Sequence, residues 1–332
     1  MRCAVIGAGA WGTALADLLS RNEHDVTLWA FEEDVAESIG SRHANDRFLK
    51  GAPLSPALRA TSDIARAVAG AALITCVTPS HVLRSVLSAS APSVASAATV
   101  VVATKGIERR TLATMTDVAA EELPGRPVVA LSGPSFAEEV VARQPTAVVA
   151  ASRDQSAADL AQRAFSAEAF RVYTHDDVLG VELGGALKNV IAVATGIADG
   201  LGLGYNARAA LITRGLAEIT RLGVALGASP HTFAGLAGMG DLVLTCTGAL
   251  SRNRSLGMQI GKGATLVEAL AGRETVAEGV ITTESAHALA AREGIEMPIV
   301  HAVYRTLFEN QPARRAITEL MSRELRAERD HP

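Results

Sequence analysis

The chain opens with Met1-Arg-Cys-Ala-Val-Ile-Gly-Ala-Gly-Ala-Trp-Gly-Thr-Ala-Leu-Ala-Asp17, and its architecture can be predicted outward from there. Residues 3–6 form a short apolar run that favours one buried strand, and a stretch with helical periodicity follows. Between them, Gly7, Gly9 and Gly12 have the spacing G-x-G-x-x-G. Such glycines allow a tight turn, a close approach of the backbone to a pyrophosphate, and close packing of helix on strand. The opening therefore predicts a dinucleotide site, with a glycine-rich turn in another kind of βα unit as the alternative.

An acidic cluster follows the second strand-like run, Asp25 to Trp29, and reads Phe31-Glu32-Glu33-Asp34. Glu32 lies about twenty residues after Gly12, which is the spacing at which a carboxylate binds the ribose hydroxyls of NAD. The same carboxylate would repel the 2′-phosphate of NADP, and the nearest following arginines, Arg42 and Arg47, lie in a loop whose path the sequence does not define. The acidic residues therefore favour NAD, but the alternative that Glu32 points to solvent and contacts no ribose also stays open.

The composition indicates a globular protein of two domains. The 332 residues are 48% hydrophobic and 20% charged, which is enough apolar material for a sizeable interior. The net charge of −4 gives no general attraction to nucleic acid. An anionic substrate would therefore need a local basic site.

The cysteines and the uncharged stretches bear on the compartment. Cys3, Cys76 and Cys246 are far apart and show no metal-binding spacing, so we expect free thiols, a reducing compartment and no metal. Residues 67–83 and 85–104 lack charges, but Pro and repeated Ser interrupt them, which is typical of strands and turns. We expect no membrane span and a cytoplasmic protein.

Strand-like and helical segments alternate along the first half of the chain. Further strands are predicted at 71–77, 99–103, 128–131, 147–151 and 170–173. This alternation predicts a mostly parallel, doubly wound α/β sheet, in which the loops after the strands line one crevice. Those loops are Gly7–Gly12, Thr78–Ser80, Lys105–Gly106 and Gly133–Ser135.

The pattern changes near residue 178, beyond which glycine-separated helical segments replace the strands. We place the boundary between 174 and 181. The predicted architecture is a dinucleotide-binding Rossmann domain over 1–177, followed by an all-helical domain over 178–332 for substrate binding and dimerisation.

Lys188 is the most informative residue of the second half. It lies mid-helix, and its helical neighbours at three and four residues are Gly184, Gly185, Ile191 and Ala192, none of which can form an ion pair. Because a buried unpaired ammonium is costly, Lys188 must reach solvent, find a distant partner or serve a ligand.

Two downstream segments favour a ligand. Asp241 is a lone carboxylate among glycines and apolar residues, and Ser251-Arg252-Asn253 combines a hydroxyl, a guanidinium and an amide. Asp241 could also serve a turn or a helix cap, and Arg252 could be an ordinary surface residue. Together they supply what a small phosphorylated alcohol needs.

At this point the chain resembles NAD(P)-dependent glycerol-3-phosphate dehydrogenase of the bacterial type, along almost its whole length. The resemblance rests on ordered motifs rather than on the glycine fingerprint alone. They are Gly7-Ala-Gly-Ala-Trp-Gly-Thr-Ala-Leu-Ala16, Thr104-Lys-Gly106, Ser132-Gly-Pro-Ser-Phe-Ala137, Gly184-Gly-Ala-Leu-Lys-Asn189, Leu236-Ala-Gly-Met-Gly-Asp-Leu-Val-Leu-Thr-Cys-Thr247, Ser251-Arg-Asn253 and Ala277-Glu-Gly279.

The resemblance implies a homodimer that makes sn-glycerol 3-phosphate for glycerophospholipid synthesis, with Lys188 as the proton donor and acceptor. The substrate-binding residues that it implies are Lys105, Gly133, Ser135, Lys188, Asp241, Ser251, Arg252 and Asn253. Together with the residues of the opening motif and the acidic cluster, the candidate cofactor-binding set is Gly7, Gly9, Ala10, Trp11, Gly12, Phe31, Glu32, Lys105, Ala137, Arg252, Val276 and Glu278.

The chain departs from the family pattern near the cofactor. Ala10 stands where many members have Ser, and Ala30-Phe31-Glu32 stands where many carry a basic residue. The preference between NAD and NADP therefore stays open.

Two rival functions differ from this one in testable ways. A β-hydroxyacid or phosphogluconate-type dehydrogenase has a similar layout and a helical lysine, but it needs a carboxylate-recognition site that residues 236–253 do not suggest. A non-catalytic dinucleotide sensor would keep the glycines and could lose Lys188, Asp241 and Arg252, all of which this chain retains.

Overall fold

A computed structural model describes residues 1–272, 277–325, 327 and 328 of the chain. Its first half is built on one sheet of eight strands in the order β3-β2-β1-β4-β5-β6-β7-β8. The strands are β1 (Arg2–Ile6), β2 (Asp25–Trp29), β3 (Arg59–Thr61), β4 (Leu73–Cys76), β5 (Thr99–Val102), β6 (Val128–Ser132), β7 (Thr146–Ala151) and β8 (Phe170–His175).

The sheet is parallel except where β7 runs antiparallel to β6. The predicted doubly wound α/β class is confirmed. The prediction did not contain β3, because the edge triplet Arg59–Thr61 lacks the apolar run by which the other strands are recognised. It also extended β4 and β5 too far into the loops that follow them.

Seven helices cover both faces of this sheet. They are α1 (Ala10–Arg21), α2 (Glu33–Arg42), α3 (Ile64–Val68), α4 (Leu83–Ser90), α5 (Met115–Glu122), α6 (Ala137–Val141) and α7 (Gln155–Phe165). One apolar core joins the sheet to α1, α2, α6 and α7, and a second joins it to α3, α4 and α5. Burial on two faces explains why the central strands are continuous apolar runs rather than alternating ones.

The glycine turn after β1 depends on the missing side chain of Gly12. A Cβ at that position would collide with the carbonyl oxygen of Gly7 and lie 3.3 Å from Cβ of Val77. Gly7 itself has φ of +114°, which side-chain-bearing residues rarely adopt. The two glycines let α1 start directly against the end of β1.

The second half of the chain is helical throughout its described residues. Its helices are α8 (Val178–Gly200), α9 (Tyr205–Ala225), α10 (Pro230–Phe233), α11 (Asp241–Thr247), α12 (Arg252–Gly261), α13 (Leu266–Leu270), α14 (Glu278–Glu293), α15 (Pro298–Phe308) and α16 (Ala313–Met321). A single π-turn over Leu236–Gly240 joins α10 to α11.

Helix α8 forms the centre of this domain and crosses α12 at very short range. A Cβ at Gly196 would collide with the carbonyl oxygen of Arg254, and one at Gly257 with that of Val193. The glycines at this crossing therefore set how deeply α12 packs. They bring the start of α12 beside the middle of α8, where Lys188 lies.

By length and composition α8 could cross a membrane, as could the bent pair 230–247 and 252–261. Most of the α8 window is buried inside the structure, which is the environment of a domain's core helix. The two uncharged stretches considered from sequence include β4, β5 and most of α4, each a short element packed in the sheet domain.

All three cysteines are free and buried, and Cys3 and Cys76 lie in β1 and β4 as predicted. Burial raises the pKa of both the Cys76 and Cys246 thiols to about 12. These thiols therefore act as small apolar side chains rather than as reactive thiolates.

Candidate active site

The strand order reverses between β1 and β4, and this switch point creates the crevice. The glycine turn after β1 and the loop after β4 pack directly on each other, since a Cβ at Gly7 would lie 3.0 Å from the backbone nitrogen of Thr78. A Cβ at Gly106 would lie 2.5 Å from Cβ of Ser80, and Lys105 Nζ donates to the carbonyl oxygen of Gly133, so the predicted loops at the carboxyl ends of the strands lie next to one another.

The residues around the glycine turn fit a dinucleotide. Gly9 is the N-cap of α1 and provides no side-chain cap, so the first N–H groups of the helix are left for a ligand. A Cβ built on Gly9 would have no atom within 4 Å, which leaves room for a phosphate. The indole Nε1 of Trp11 is buried without a hydrogen-bond partner among the described residues.

An arginine lies beside the acidic residues that follow β2, and its position could not be predicted from the sequence. Phe31 is 79% exposed beside Glu32, which is the N-cap residue of α2. Arg47 lies with its Nη1 3.7 Å from Oδ1 of Asp34. The ribose end of the crevice therefore carries a guanidinium as well as carboxylates.

Three charged residues from distant parts of the chain meet at the opposite end of the site. Lys188 Nζ donates to Oδ1 of Asp241, and Lys105 Nζ donates to Oδ2 of the same carboxylate over 2.6 Å. Lys105 also donates to the carbonyl oxygen of Gly133 over 3.3 Å. Because Lys188 is only 7% exposed, its distant partner, and not solvent, accounts for its position.

Two glycines of α8 make this meeting possible. A Cβ at Gly184 would lie 2.6 Å from the carbonyl oxygen of Ala237, just before Asp241, and a Cβ at Gly185 would lie 2.5 Å from Oγ of Ser132. Because Gly184 and Gly185 have no side chain, α8 can lie close against the π-turn and the end of β6. Lys188 is one helical turn farther on and therefore faces Asp241.

The surroundings tune Lys188 for proton transfer. Burial lowers the pKa of its ammonium to about 7, with the neighbouring charge of Lys105 acting in the same direction and that of Asp241 acting against it. Two lysines thus share one fully buried carboxylate, and protonation of Lys188 places two cations on it. A group with these properties can give or take a proton near neutral pH.

A second polar chain lies beside this group. Asn253 donates through Nδ2 to Oδ1 of Asn189 over 2.9 Å and accepts from the backbone nitrogen of Gly279 over 3.0 Å. Ser251 caps α12 by accepting from the backbone nitrogen of Arg254. Arg252 is the exposed first residue of α12. The polar character of Asn189 in an apolar helix is thereby explained.

A third contact crosses the crevice from the helical domain. The carboxylate of Glu278, at the start of α14, accepts from the backbone nitrogen of Ser80 over 3.0 Å and from its Oγ over 2.7 Å. Burial raises the pKa of Glu278, and the two hydrogen bonds from Ser80 oppose that rise. Glu278 was expected near the cofactor, whereas Ser80 was recognised only as part of a crevice loop.

The remaining candidates lie around this centre. Gly133 has φ of +145° and accepts at its carbonyl oxygen from Oγ of Ser135 over 3.0 Å, and Ala137 begins α6. Val276 lies outside the described residues. Sequence reasoning missed Thr245, which lies one turn after Asp241 on α11 and donates to its backbone oxygen over 2.7 Å.

A dinucleotide crevice that ends at a buried, lysine-centred acid–base group is the arrangement of a nicotinamide-dependent dehydrogenase. Comparison with known families agrees and is more specific. Residues 2–158 match the family described as NAD-dependent glycerol-3-phosphate dehydrogenase N-terminus, and residues 177–318 match the corresponding C-terminus. The chain belongs to the NAD-dependent glycerol-3-phosphate dehydrogenase family, which confirms the resemblance noted in the sequence.

Curated relatives match over nearly their entire lengths. The chain is 57% identical to the NAD(P)+ glycerol-3-phosphate dehydrogenase of Geobacter sulfurreducens over 331 residues, which is 99% of both chains. It is 51% identical to the protein of the same name from Myxococcus xanthus, again over 99% of both chains.

Solved structures show the same whole-chain similarity. A crystal structure of glycerol-3-phosphate dehydrogenase from Coxiella burnetii superposes with a TM-score of 0.94 at 41% identity, covering 97% of this chain and 99% of that one. A ketopantoate reductase of the PanE/ApbA family from Ralstonia eutropha has a TM-score of 0.60 at 18% identity and shares the fold alone.

Proposed function

We propose that this protein interconverts sn-glycerol 3-phosphate and dihydroxyacetone phosphate with NAD or NADP, and so supplies glycerol 3-phosphate for glycerophospholipid synthesis. The observation that carries the proposal is the contact of Lys188 and Lys105 with the one carboxylate of Asp241 at the end of the crevice. Membership of the family selects the substrate among the ketones that such a group could reduce.

Lys188 acts as the acid in ketone reduction and as the base in alcohol oxidation. The bound dinucleotide supplies or accepts the hydride. Lys188 Nζ gives its proton to the carbonyl oxygen of the substrate, and the low pKa of this ammonium makes that transfer favourable near neutrality. Asp241 holds Nζ in place, and Lys105 keeps positive charge beside the oxygen on which negative charge develops.

The start of α12 anchors the phosphate of the substrate. Ser251, Arg252 and Asn253 offer a hydroxyl, a guanidinium and an amide at a helix N-terminus, which favours anions. One hydrogen of the Asn253 amide is used by Asn189, and the second remains for the phosphate. Gly133, Ser135 and Lys105 contact the glycerol end, and this anchoring at a distance positions the carbonyl.

The domain division 1–177 and 178–332 belongs to the same proposal, as do a homodimer and a cytoplasmic location. The division is supported by β8 ending at His175 and by Asp177, whose carboxylate caps α8. The dimer is what the family resemblance noted in the sequence implies. Free buried cysteines support a reducing compartment.

The test is NAD(P)H oxidation by the purified native chain with dihydroxyacetone phosphate. We expect rapid loss of absorbance with this ketone and very slow loss with unphosphorylated dihydroxyacetone, because only the former engages the anchor on α12. Equal rates with the two ketones would place phosphate recognition elsewhere. Activity with β-keto acids in place of dihydroxyacetone phosphate would favour the hydroxyacid dehydrogenase, and binding of NADH without turnover would favour the sensor.

A further inference from the structure

Ser80 lies where the two domains face each other across the crevice. It follows the loop after β4 and donates twice to Glu278, from its backbone nitrogen to Oε1 and from Oγ to Oε2. The two residues are 198 positions apart in the chain. The contact is therefore a bridge between the sheet domain and the first residue of α14.

This bridge lies on the path of the dinucleotide. Residues 77–80 lie directly against the glycine turn, since a Cβ at Gly7 would lie 3.0 Å from the backbone of Thr78 and one at Gly12 would lie 3.3 Å from Val77. Dinucleotides bind beyond the carboxyl ends of the strands at this switch point. Glu278 consequently reaches from the second domain to the rim over which the cofactor passes.

The packing around the bridge leaves no space for a side chain at Gly106. A Cβ there would lie 2.5 Å from Cβ of Ser80 and 3.5 Å from Oε2 of Glu278. Gly106 directly follows Lys105, which holds Asp241. The bridge is thus adjacent to the acid–base group and fixed in relation to it.

The orientation of the Glu278 carboxylate depends on Ser80. A half-buried carboxylate still needs hydrogen-bond donors, and both bonds donated to Glu278 within the described part of the chain come from this one serine. Each carboxylate oxygen can accept a further hydrogen bond. The remaining lone pairs suit the hydroxyl groups of a ribose.

We propose that Ser80 is a positioning residue for the cofactor: it orients the carboxylate of Glu278 across the crevice so that this carboxylate accepts hydrogen bonds from ribose hydroxyls of the dinucleotide. The inference rests on the proposed function, because it requires a dinucleotide to lie in this crevice. It assigns to Ser80 an effect on cofactor affinity and none on the phosphate anchor.

The test is a double-mutant cycle on the dissociation constant of NADH, measured by nicotinamide fluorescence, with Ser80→Ala, Glu278→Gln and the double variant. We expect Ser80→Ala to weaken binding about tenfold, or about 1.4 kcal/mol. The KM for NADH should rise in parallel, while the KM for dihydroxyacetone phosphate stays close to native. The double variant should bind NADH no more weakly than Glu278→Gln alone, because both changes remove one contact.

Ser85→Ala is the matched control, since Ser85 is exposed on α4 and its hydroxyl donates to the nearby carbonyl oxygen of Val82. It should bind NADH like the native chain. Native-like or tighter binding by Ser80→Ala, or effects of the two substitutions that simply multiply, would overturn the inference. Failure of the native chain to reduce dihydroxyacetone phosphate would instead overturn the proposed reaction, and the NADH measurements would still decide the role of Ser80.

Discussion

The two ends of the site are built in opposite ways. The glycine turn of the cofactor end comes from one continuous segment between β1 and α1, in which neighbours in sequence are neighbours in space. The chemical end comes from Lys105, Lys188 and Asp241, and the longest of its contacts spans 136 residues. A ligand site can therefore be local in the chain while the group that performs the chemistry depends on how two domains and several helices pack.

The comparison leads first to Lys188→Ala, which should have the largest effect. It removes the proposed proton donor and leaves the glycine turn intact, so kcat should fall by about a hundredfold or more, while NADH binding and the melting temperature stay near native. Steady-state kinetics and NADH titration measure both. Lys262→Ala, at the exposed end of α12, is the control. Near-native kcat in Lys188→Ala would exclude this residue from the chemistry.

Gly184→Ala tests whether packing assembles the chemical end. Its Cβ would meet the carbonyl oxygen of Ala237 and push the π-turn before Asp241 away from α8. We expect a loss of about 1–3 kcal/mol in the free energy of unfolding and a clear loss of kcat. Gly40→Ala in α2 adds the same atom where nothing lies within 4 Å, and it should be neutral or stabilising. Chemical denaturation compares them, and equal behaviour of the two variants would refute the packing argument.

Arg252→Lys keeps the charge of the anchor and removes its planar fork. The KM for dihydroxyacetone phosphate should rise about tenfold, or about 1.4 kcal/mol, with a smaller change in kcat. The slow reaction with unphosphorylated dihydroxyacetone is the internal control and should not change. If both ketones are affected alike, Arg252 does not bind the phosphate.

Glu32→Arg should have the smallest effect and concerns the other end of the site. Reversal of this charge should shift the ratio of kcat/KM for NADPH over that for NADH upward by about fivefold, which corresponds to about 1 kcal/mol between surface charges. The shift is modest because Arg47 already lies beside Asp34 in the native chain. An unchanged ratio would show that Glu32 does not discriminate between the cofactors.

An element could be predicted from the sequence where its signal lies within a few neighbouring residues. The apolar runs of β1 and β2 and the helical character of the second half were predicted correctly, because their signals lie within a few residues. The edge strand β3 was not predicted, and β7 was predicted as a strand at 147–151 but without its antiparallel direction, since pairing direction and edge position depend on distant partners.

The candidate site shows the same limit. An ammonium without a local partner was recognisable at Lys188, and Asp241 was expected among the substrate-binding residues. The contact of Lys105 with the same carboxylate was not expected, because nothing in the sequence around Lys105 connects it to a residue on α11. The role of Ser80 was missed for the same reason, because its partner Glu278 lies in the other domain.

The central claim is that Lys105 and Asp241 act in opposite directions on the acid Lys188. The direct measurement is the pH dependence of kcat for ketone reduction in the native chain, Lys105→Gln and Asp241→Asn. Reduction needs the ammonium form, so native kcat should fall as the pH rises through about 7. Removing the positive charge of Lys105 raises the pKa of Lys188 and should move this fall to higher pH, whereas removing the negative charge of Asp241 should move it to lower pH. Shifts in the same direction, or the same profile in all three proteins, would contradict the account.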